Sequence, residues 1–259
     1  MTTGEPQDRW DANFAGRARG QTLQRIWRTA FGEEYPEEAD PNSFITLTQL
    51  RRIAREIQVG PGETFVDLGC GAGGPGLWVA RETGAGVVGI DISAVAVEEA
   101  TRRAAESGLG ERVRFLVGYF QATGLPDAAF EGAVSVDVLL MVPDKLAAVR
   151  EVARILRPGA RFIFTTRDVD LPSLRGVAAA QVADHRPLLE AAGFIVEAYE
   201  EPPDWERRHR AVYAGILDAQ SLLIEEMGET AARRWIDQAQ QRPDELPHVR
   251  SIFVVARRT

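Results

Sequence analysis

The sequence predicts an α/β fold: a doubly wound, seven-stranded, mostly parallel sheet with helices on both faces. Three observations carry this expectation. Short apolar segments of strand character alternate with helical segments between residues 64 and 200. A glycine-rich turn joins the first of these strands to the helix that follows. The chain has 259 residues and 45% hydrophobic content, enough to bury the core of one such domain.

Residues 1–20 are polar, with Trp10 and Phe14 as isolated apolar anchors. Residues 21–31 read as a short amphipathic helix with Leu23, Ile26, Trp27 and Ala30 on one face. The acidic, proline-containing stretch 32–42 is a loop. Residues 48–57 are helical again, and Gly60-Pro61-Gly62 stops them. Strands are expected at 64–68, 86–90, 112–117, 132–136, 160–166, 194–199 and 251–255. The helices between them are 75–82, 95–107 with Ser93 as N-cap, 144–156, and 182–192 closed by Gly193. Two more helices, 205–228 and 230–240, fall before the last strand. This inserted pair and the N-terminal helices are expected to form a lid. Ligands of such sheets bind beyond the carboxyl ends of the strands, where the strand order reverses. The chain is read as one domain, with an N-terminal lid (1–58), a core (59–201), inserted lid helices (202–247) and the last strand (248–259).

The net charge of −8 speaks against a phosphate backbone as partner. The arginine pairs Arg51-Arg52, Arg102-Arg103, Arg207-Arg208 and Arg233-Arg234 lie in helical segments with acidic neighbours and read as solvated faces. Nucleic acid is not expected as a substrate. Cys70 is the only cysteine, so no intramolecular disulfide forms, in keeping with a reducing compartment. The first thirty residues contain no apolar secretion core, and no run approaches the length of a membrane span. A soluble, cytoplasmic protein without a membrane partner is expected. No Cys/His spacing calls for a metal.

The stretch Asp67-Leu68-Gly69-Cys70-Gly71-Ala72-Gly73-Gly74 is the most informative. Glycines there allow a tight turn and close approach of a ligand to the backbone. Gly69, Gly71 and Gly74 match the dinucleotide fingerprint, which taken alone is weak. Gly69, Gly71 and Gly73, with Asp67 two residues earlier, fit another ligand. A carboxylate ending the first strand suits an ammonium, such as the methionine end of S-adenosylmethionine (SAM), better than a pyrophosphate. Asp91 ends the second strand 22 residues after Gly69, where a carboxylate accepts ribose hydroxyls in either kind of cofactor.

Further segments follow in order: Gly89-Ile90-Asp91-Ile92-Ser93, Gly124-Leu125-Pro126-Asp127, Ser135-Val136-Asp137, Val142-Pro143-Asp144-Lys145, Arg154-Ile155-Leu156-Arg157-Pro158-Gly159 and Leu188-Leu189-Glu190-Ala191-Ala192-Gly193-Phe194. Together with the glycine loop, they make residues 46–200 resemble the class I SAM-dependent methyltransferases, in particular the ubiquinone/menaquinone-type and natural-product small-molecule branch. The resemblance implies a Rossmann-like fold. It implies that Asp67, Gly69, Cys70, Gly71 and Gly73 surround the methionine end, that Asp91 holds the ribose and that Ile92 flanks the adenine. Asp137 would lie where methionine and acceptor meet. The family's usual acid after the third strand is replaced by Tyr119 in Val117-Gly118-Tyr119-Phe120-Gln121. Either Tyr119 and Phe120 form an aromatic wall for adenine, the preferred reading, or backbone and Gln121 hold it. Glu131 stands where aspartate is common and reads as structural.

Transfer from a sulfonium mainly requires a positioned nucleophile and, for a hydroxyl, removal of its proton. His185, His209 and Asp137 are the candidate catalytic residues. His248 reads as a surface or packing histidine. Cys70 shows no partner that would activate a thiolate and is not read as a nucleophile. Trp10, Phe14, Trp27, Phe31, Tyr35, Trp205 and Tyr213 lie in the two lid regions, as pocket lining, lid packing or both. Exposed lid aromatics would also allow a homodimer. The expected function is methylation of O, N or C on a small, mainly apolar metabolite. The alternatives are a SAM-binding protein with a sensing or non-methylating role, and an NAD-dependent oxidoreductase.

Overall fold

The structure, a computed structural model, describes residues 6–17, 21–41, 43–170 and 181–259. Residues 1–5, 18–20 and Asn42 of the expected lid, and 171–180 of the expected core, lie outside the described residues.

The strands are β1 (Thr64–Leu68), β2 (Gly86–Asp91), β3 (Val113–Val117), β4 (Phe130–Val136), β5 (Leu156–Val169), β6 (Phe194–Glu200) and β7 (Val249–Arg258). They form one sheet in the order β3-β2-β1-β4-β5-β7-β6. The first five strands pair in parallel; β7 enters antiparallel between β5 and β6. The chain winds outward from β1 through β2 to β3, then returns to place β4 on the other side. That reversal opens a crevice beyond the carboxyl ends of β1 and β4. Every residue of β2 is buried, as central parallel strands covered on both faces require.

The helices are α1 (Pro6–Arg17), α2 (Thr22–Phe31), α3 (Leu47–Glu56), α4 (Gly74–Thr83), α5 (Ala94–Glu106), α6 (Lys145–Ile155), α7 (Arg186–Ala191), α8 (Trp205–Asp218), α9 (Gln220–Met227) and α10 (Glu229–Glu245). Several starts follow from capping. The Thr46 hydroxyl accepts from Gln49 N while the Gln49 side chain accepts from Thr46 N, and Ser93 and Asp144 cap α5 and α6. Glu131 accepts from the Thr64 N–H at 3.0 Å and pairs with Arg157, the structural role expected of it.

Two apolar cores lie against the sheet. One includes Ile53, Ile57, Phe65, Val87 and Phe115; the other includes Leu68, Ile90, Leu139, Phe162 and Phe164. A third core belongs to the lid and joins Trp27, Phe31, Trp205, Tyr213, Leu223 and Ile236. No helix among the described residues is long and apolar enough to cross a membrane.

The structure departs from the expectations in four places. Residues 6–17 are helical, although their sequence is polar: the helix is held from outside, with Asp11 accepting from the Ser93 hydroxyl and the Val95 N–H at the start of α5. The expected 205–228 helix breaks at Ala219 (φ −103°, ψ 17°) into α8 and α9, so the insertion is three helices and not a pair. The expected 182–192 helix shortens to α7. Strands β5 and β7 outrun their predicted limits because they pair from Arg161↔Arg257 to Val169↔Val249.

Gly89 in β2 faces the Phe115 ring and the Cys70 thiol. A Cβ there would overlap the ring and sit 2.9 Å from Sγ. Gly89→Ala is expected to destabilise the protein by about 1–3 kcal/mol through overpacking, read as a lower urea midpoint. An unchanged midpoint would contradict this packing.

Candidate functional site

The loop after β1 turns on three glycines with positive φ: Gly69 (73°), Gly71 (52°) and Gly73 (78°). At Gly69 a side chain would also collide with Val138. The loop's amides are occupied by the protein itself. Gly69 N–H and Cys70 N–H donate to the Ile90 carbonyl (2.7 and 3.0 Å), and Gly73 N–H donates to the Cys70 carbonyl (2.8 Å). Gly71 N–H donates to Asp91 Oδ2 (2.8 Å). The loop therefore presents a tight backbone surface, with these donors unavailable to a phosphate.

Asp67, at the end of β1, is buried, and its Oδ2 has no hydrogen-bond partner. Burial, then the nearby Asp91, pushes its pKa up to about 7. Asp91 accepts from Ser93 N–H through Oδ1 (2.9 Å) and from Gly71 N–H through Oδ2, so its orientation is set from both sides. Burial raises its pKa as well.

Both carboxylates face one cavity of about 1520 Å³, which Gly69, Cys70, Gly71, Ile92, Tyr119, Phe120 and Asp137 also line. Gly73 does not line it. Gly73 stands behind the loop, where a Cβ would be 2.9 Å from the Phe115 ring. Burial pushes the Cys70 thiol well up, which fits the reading of this side chain as unreactive. On the far side the cavity runs along Val138, Leu140, Met141 and Val142. The Lys145 ammonium donates to the Val142 carbonyl at 3.0 Å and pins that segment; burial pulls its pKa down to about 8.

Of the three catalytic candidates only Asp137 lines the cavity. It follows β4 with φ 56°, and both oxygens are engaged. Oδ1 accepts from the Thr165 hydroxyl and Oδ2 from the Phe44 N–H, each at 2.8 Å. His209 is buried in the lid, stacked on Phe44 with ring centroids 3.7 Å apart. Its Nδ1 lies 2.8 Å from the Trp205 carbonyl, which can only accept, so Nδ1 carries the proton. Nε2 then accepts from Arg167 at 3.2 Å. Burial and Arg167 hold its pKa well below the usual histidine range, so the ring is neutral. His185 is buried elsewhere, its Nδ1 2.9 Å from Asp168, which also binds Tyr199 and Arg250. Both histidines are thus committed to packing away from the cavity. Their partners come from distant segments, which local patterns do not reveal.

Of the seven lid aromatics, Trp10 and Phe14 line the cavity, and Phe14 lies over Gly71. The other five are buried in the lid core. Sequence reasoning missed Arg9 and the segment from Val138 to Val142 as cavity wall. The polar character of residues 1–20 hid the first, and the second carried no motif of its own.

Asp67 has a testable consequence without any ligand. Its pKa of about 7 in the folded state lies above the carboxylate value of the unfolded chain, roughly 3.9. Between these limits the native state binds more protons, so stability falls as pH rises through that window. Asp67→Asn is expected to remove this part of the slope. Denaturation at a series of pH values checks it; identical slopes for both proteins would refute it.

Residues 66–164 match the family of methyltransferase domains. The methyltransferase phqN of Penicillium fellutanum is 31% identical over 157 residues, covering 53% of this chain and 48% of that protein. The methyltransferase GfsG of Streptomyces halstedii is 29% identical over 208 residues, covering 75% of this chain and 74% of that protein. The chain thus spans about half the length of the first relative and three quarters of the second. Among solved structures, the [4+2]-cyclase SpnF superposes with a TM-score of 0.74 at 22% identity, over 94% of each chain, and shares the fold. Residues 66–164 are thus similar to methyltransferase domains, a likeness that points to S-adenosylmethionine as the cofactor.

Proposed function

We propose that the protein transfers a methyl group from SAM to O, N or C of a small, mainly apolar metabolite. One observation carries this reading. The amides of Gly69, Cys70, Gly71 and Gly73 are satisfied by the protein, and beside them lies a buried carboxylate oxygen with no partner. That surface repels a pyrophosphate and suits a cationic group held close to backbone, which favours SAM over a nicotinamide cofactor.

When bound, SAM supplies a methyl group on a good leaving group. The protein's part is to bind, orient and exclude water. Asp67 would hold the ammonium of the methionine end, and the Gly69–Gly71 backbone would pack against it. Asp91 keeps lone pairs on both oxygens for a ribose diol. Ile92, Tyr119 and Phe120 would flank the adenine. The acceptor would occupy the space between Asp137, the 138–142 segment, Trp10 and Phe14.

Both histidines are committed elsewhere, and the Asp137 oxygens already accept hydrogen bonds. We therefore assign Asp137 to holding the Phe44 segment against the cavity. This favours acceptors that need little help in losing a proton, such as an amine or an enolised carbon. The lack of a free base among the three candidates also supports a second reading, a SAM-binding protein with a non-methylating role.

Calorimetry with SAM, S-adenosylhomocysteine and NAD tests the reading. The first two are expected to bind and NAD is not. Asp91→Ala should weaken S-adenosylhomocysteine by about tenfold or more, the cost of losing hydrogen bonds to a charged group. Stabilisation by NAD alone would overturn the proposal. SAM binding without release of S-adenosylhomocysteine for any acceptor would leave the second reading in its place.

A further inference from the structure

Four arginines reach the cavity: Arg9, Arg102, Arg103 and Arg242. Three are committed. Arg102 pairs with Glu99 (2.6 Å) and Glu106 (2.5 Å), and Arg242 with Glu245 (2.7 Å). Arg103 donates to the carbonyls of Ala72 (3.2 Å) and Ala39 (3.0 Å). Among the described residues, Arg9 has neither a carboxylate nor a carbonyl partner; its guanidinium lies 5.8 Å from the Trp10 ring.

A second cation stands at the same ring. Arg234 of α10 lies 4.6 Å from the Trp10 centroid. Its Nη1 is buried and makes no hydrogen bond, and no carboxylate among the described residues pairs with it. Burial, then the charge of Arg9, brings its pKa down to about 10. Asp11, two residues from Arg9, is engaged by Ser93 and Val95 and does not serve as counter-ion.

Two guanidinium groups therefore stand at one indole in a protein of net charge −8, and among the described residues neither has a carboxylate partner. A cation over an aromatic face is attracted to the ring. A buried, charged N–H left without an acceptor opposes that gain. The missing partner is an anion, and Trp10 lines the cavity.

We propose that Arg9 and Arg234, both set against the Trp10 ring, form an anion-binding subsite at the lid edge of the cavity. The methyl acceptor then carries a phosphate or carboxylate on an otherwise apolar body. This assignment rests on the methyltransferase reading for the word acceptor, though not for the binding of an anion.

The test is calorimetry with S-adenosylhomocysteine saturating. Inorganic diphosphate and decanoate are titrated into the wild type, Arg9→Met and Arg234→Met. The wild type is expected to bind at least one of the two, which separates phosphate from carboxylate. Each variant should weaken that binding about tenfold or more, as loss of a charge-assisted hydrogen bond does. Arg9 is exposed, so Arg9→Met keeps the test alive if Arg234→Met does not fold. Absence of binding to the wild type at millimolar concentration, or binding retained by both variants, overturns the proposal. The cofactor's own carboxylate is the rival anion. If the variants lose S-adenosylhomocysteine but keep 5′-methylthioadenosine, which lacks the amino-acid end, the clamp serves the cofactor and the proposal falls. If the wild type binds no S-adenosylhomocysteine, the methyltransferase reading fails, and the anion titration is read on ligand-free protein.

Discussion

The carboxyl end of β2 organises everything around the cavity. The Ile90 carbonyl takes the N–H groups of Gly69 and Cys70, the Asp91 side chain takes those of Gly71 and Ser93, and the Asp91 carbonyl takes that of Gly118. Three separate segments, the glycine loop, the start of α5 and the turn after β3, are thus fastened to two consecutive residues. Each buried donor is satisfied where it lies, so the loop can pass close to a ligand without leaving amides to be paired by it. The same arrangement leaves one carboxylate oxygen of Asp67 unmatched. A loop whose leading amides are satisfied, with an unmatched buried carboxylate beside it, suits a cation better than a phosphate.

The lid is fastened by a different kind of chemistry. Its own core is aromatic and aliphatic, residues such as Ile53 and Ile57 pack on the sheet, and a polar junction at Phe44 joins its two parts. Thr165 and Asp137 at the strand ends hold the Phe44 backbone, and the Phe44 ring stacks on His209 of α8, whose Nε2 is held by Arg167 of β5. Both lid regions, N-terminal and inserted, meet at Phe44. A neutral, doubly hydrogen-bonded histidine suits such a junction, because a charged ring there would face Arg167 in a dry environment. The first helix is held separately, by Asp11 against α5 and by Trp10 under Arg234.

Much of the fold was legible because local rules and tertiary structure agree. The apolar strands, the glycine turn, the Ser93 cap and the alternation of elements each report on backbone conformations that a few adjacent residues decide. One wall of the cavity was legible for the same reason: Asp67, Gly69, Gly71, Asp91 and Ile92 line it from strand ends and a turn. The misreadings have one cause. Helix α1 forms from a polar stretch because remote groups at α5 and α10 hold it. Of the two histidines chemically suited to proton transfer, His209 is a neutral packing element beside Arg167 and Phe44, and His185 belongs to a buried polar cluster with Asp168, partners that come from elsewhere in the chain.

From the sequence alone came the α/β architecture, the glycine loop with its two flanking acids, and the preference for S-adenosylmethionine. These depend on spacing within short segments, and backbone sterics act over that range. The tertiary structure alone decided which side chains face the cavity, that Asp137 is tied to the lid, and that Arg9 and Arg234 converge on Trp10 without a carboxylate partner among the described residues. Those outcomes depend on burial and on charges brought together from segments more than two hundred residues apart, and no local pattern encodes such distances.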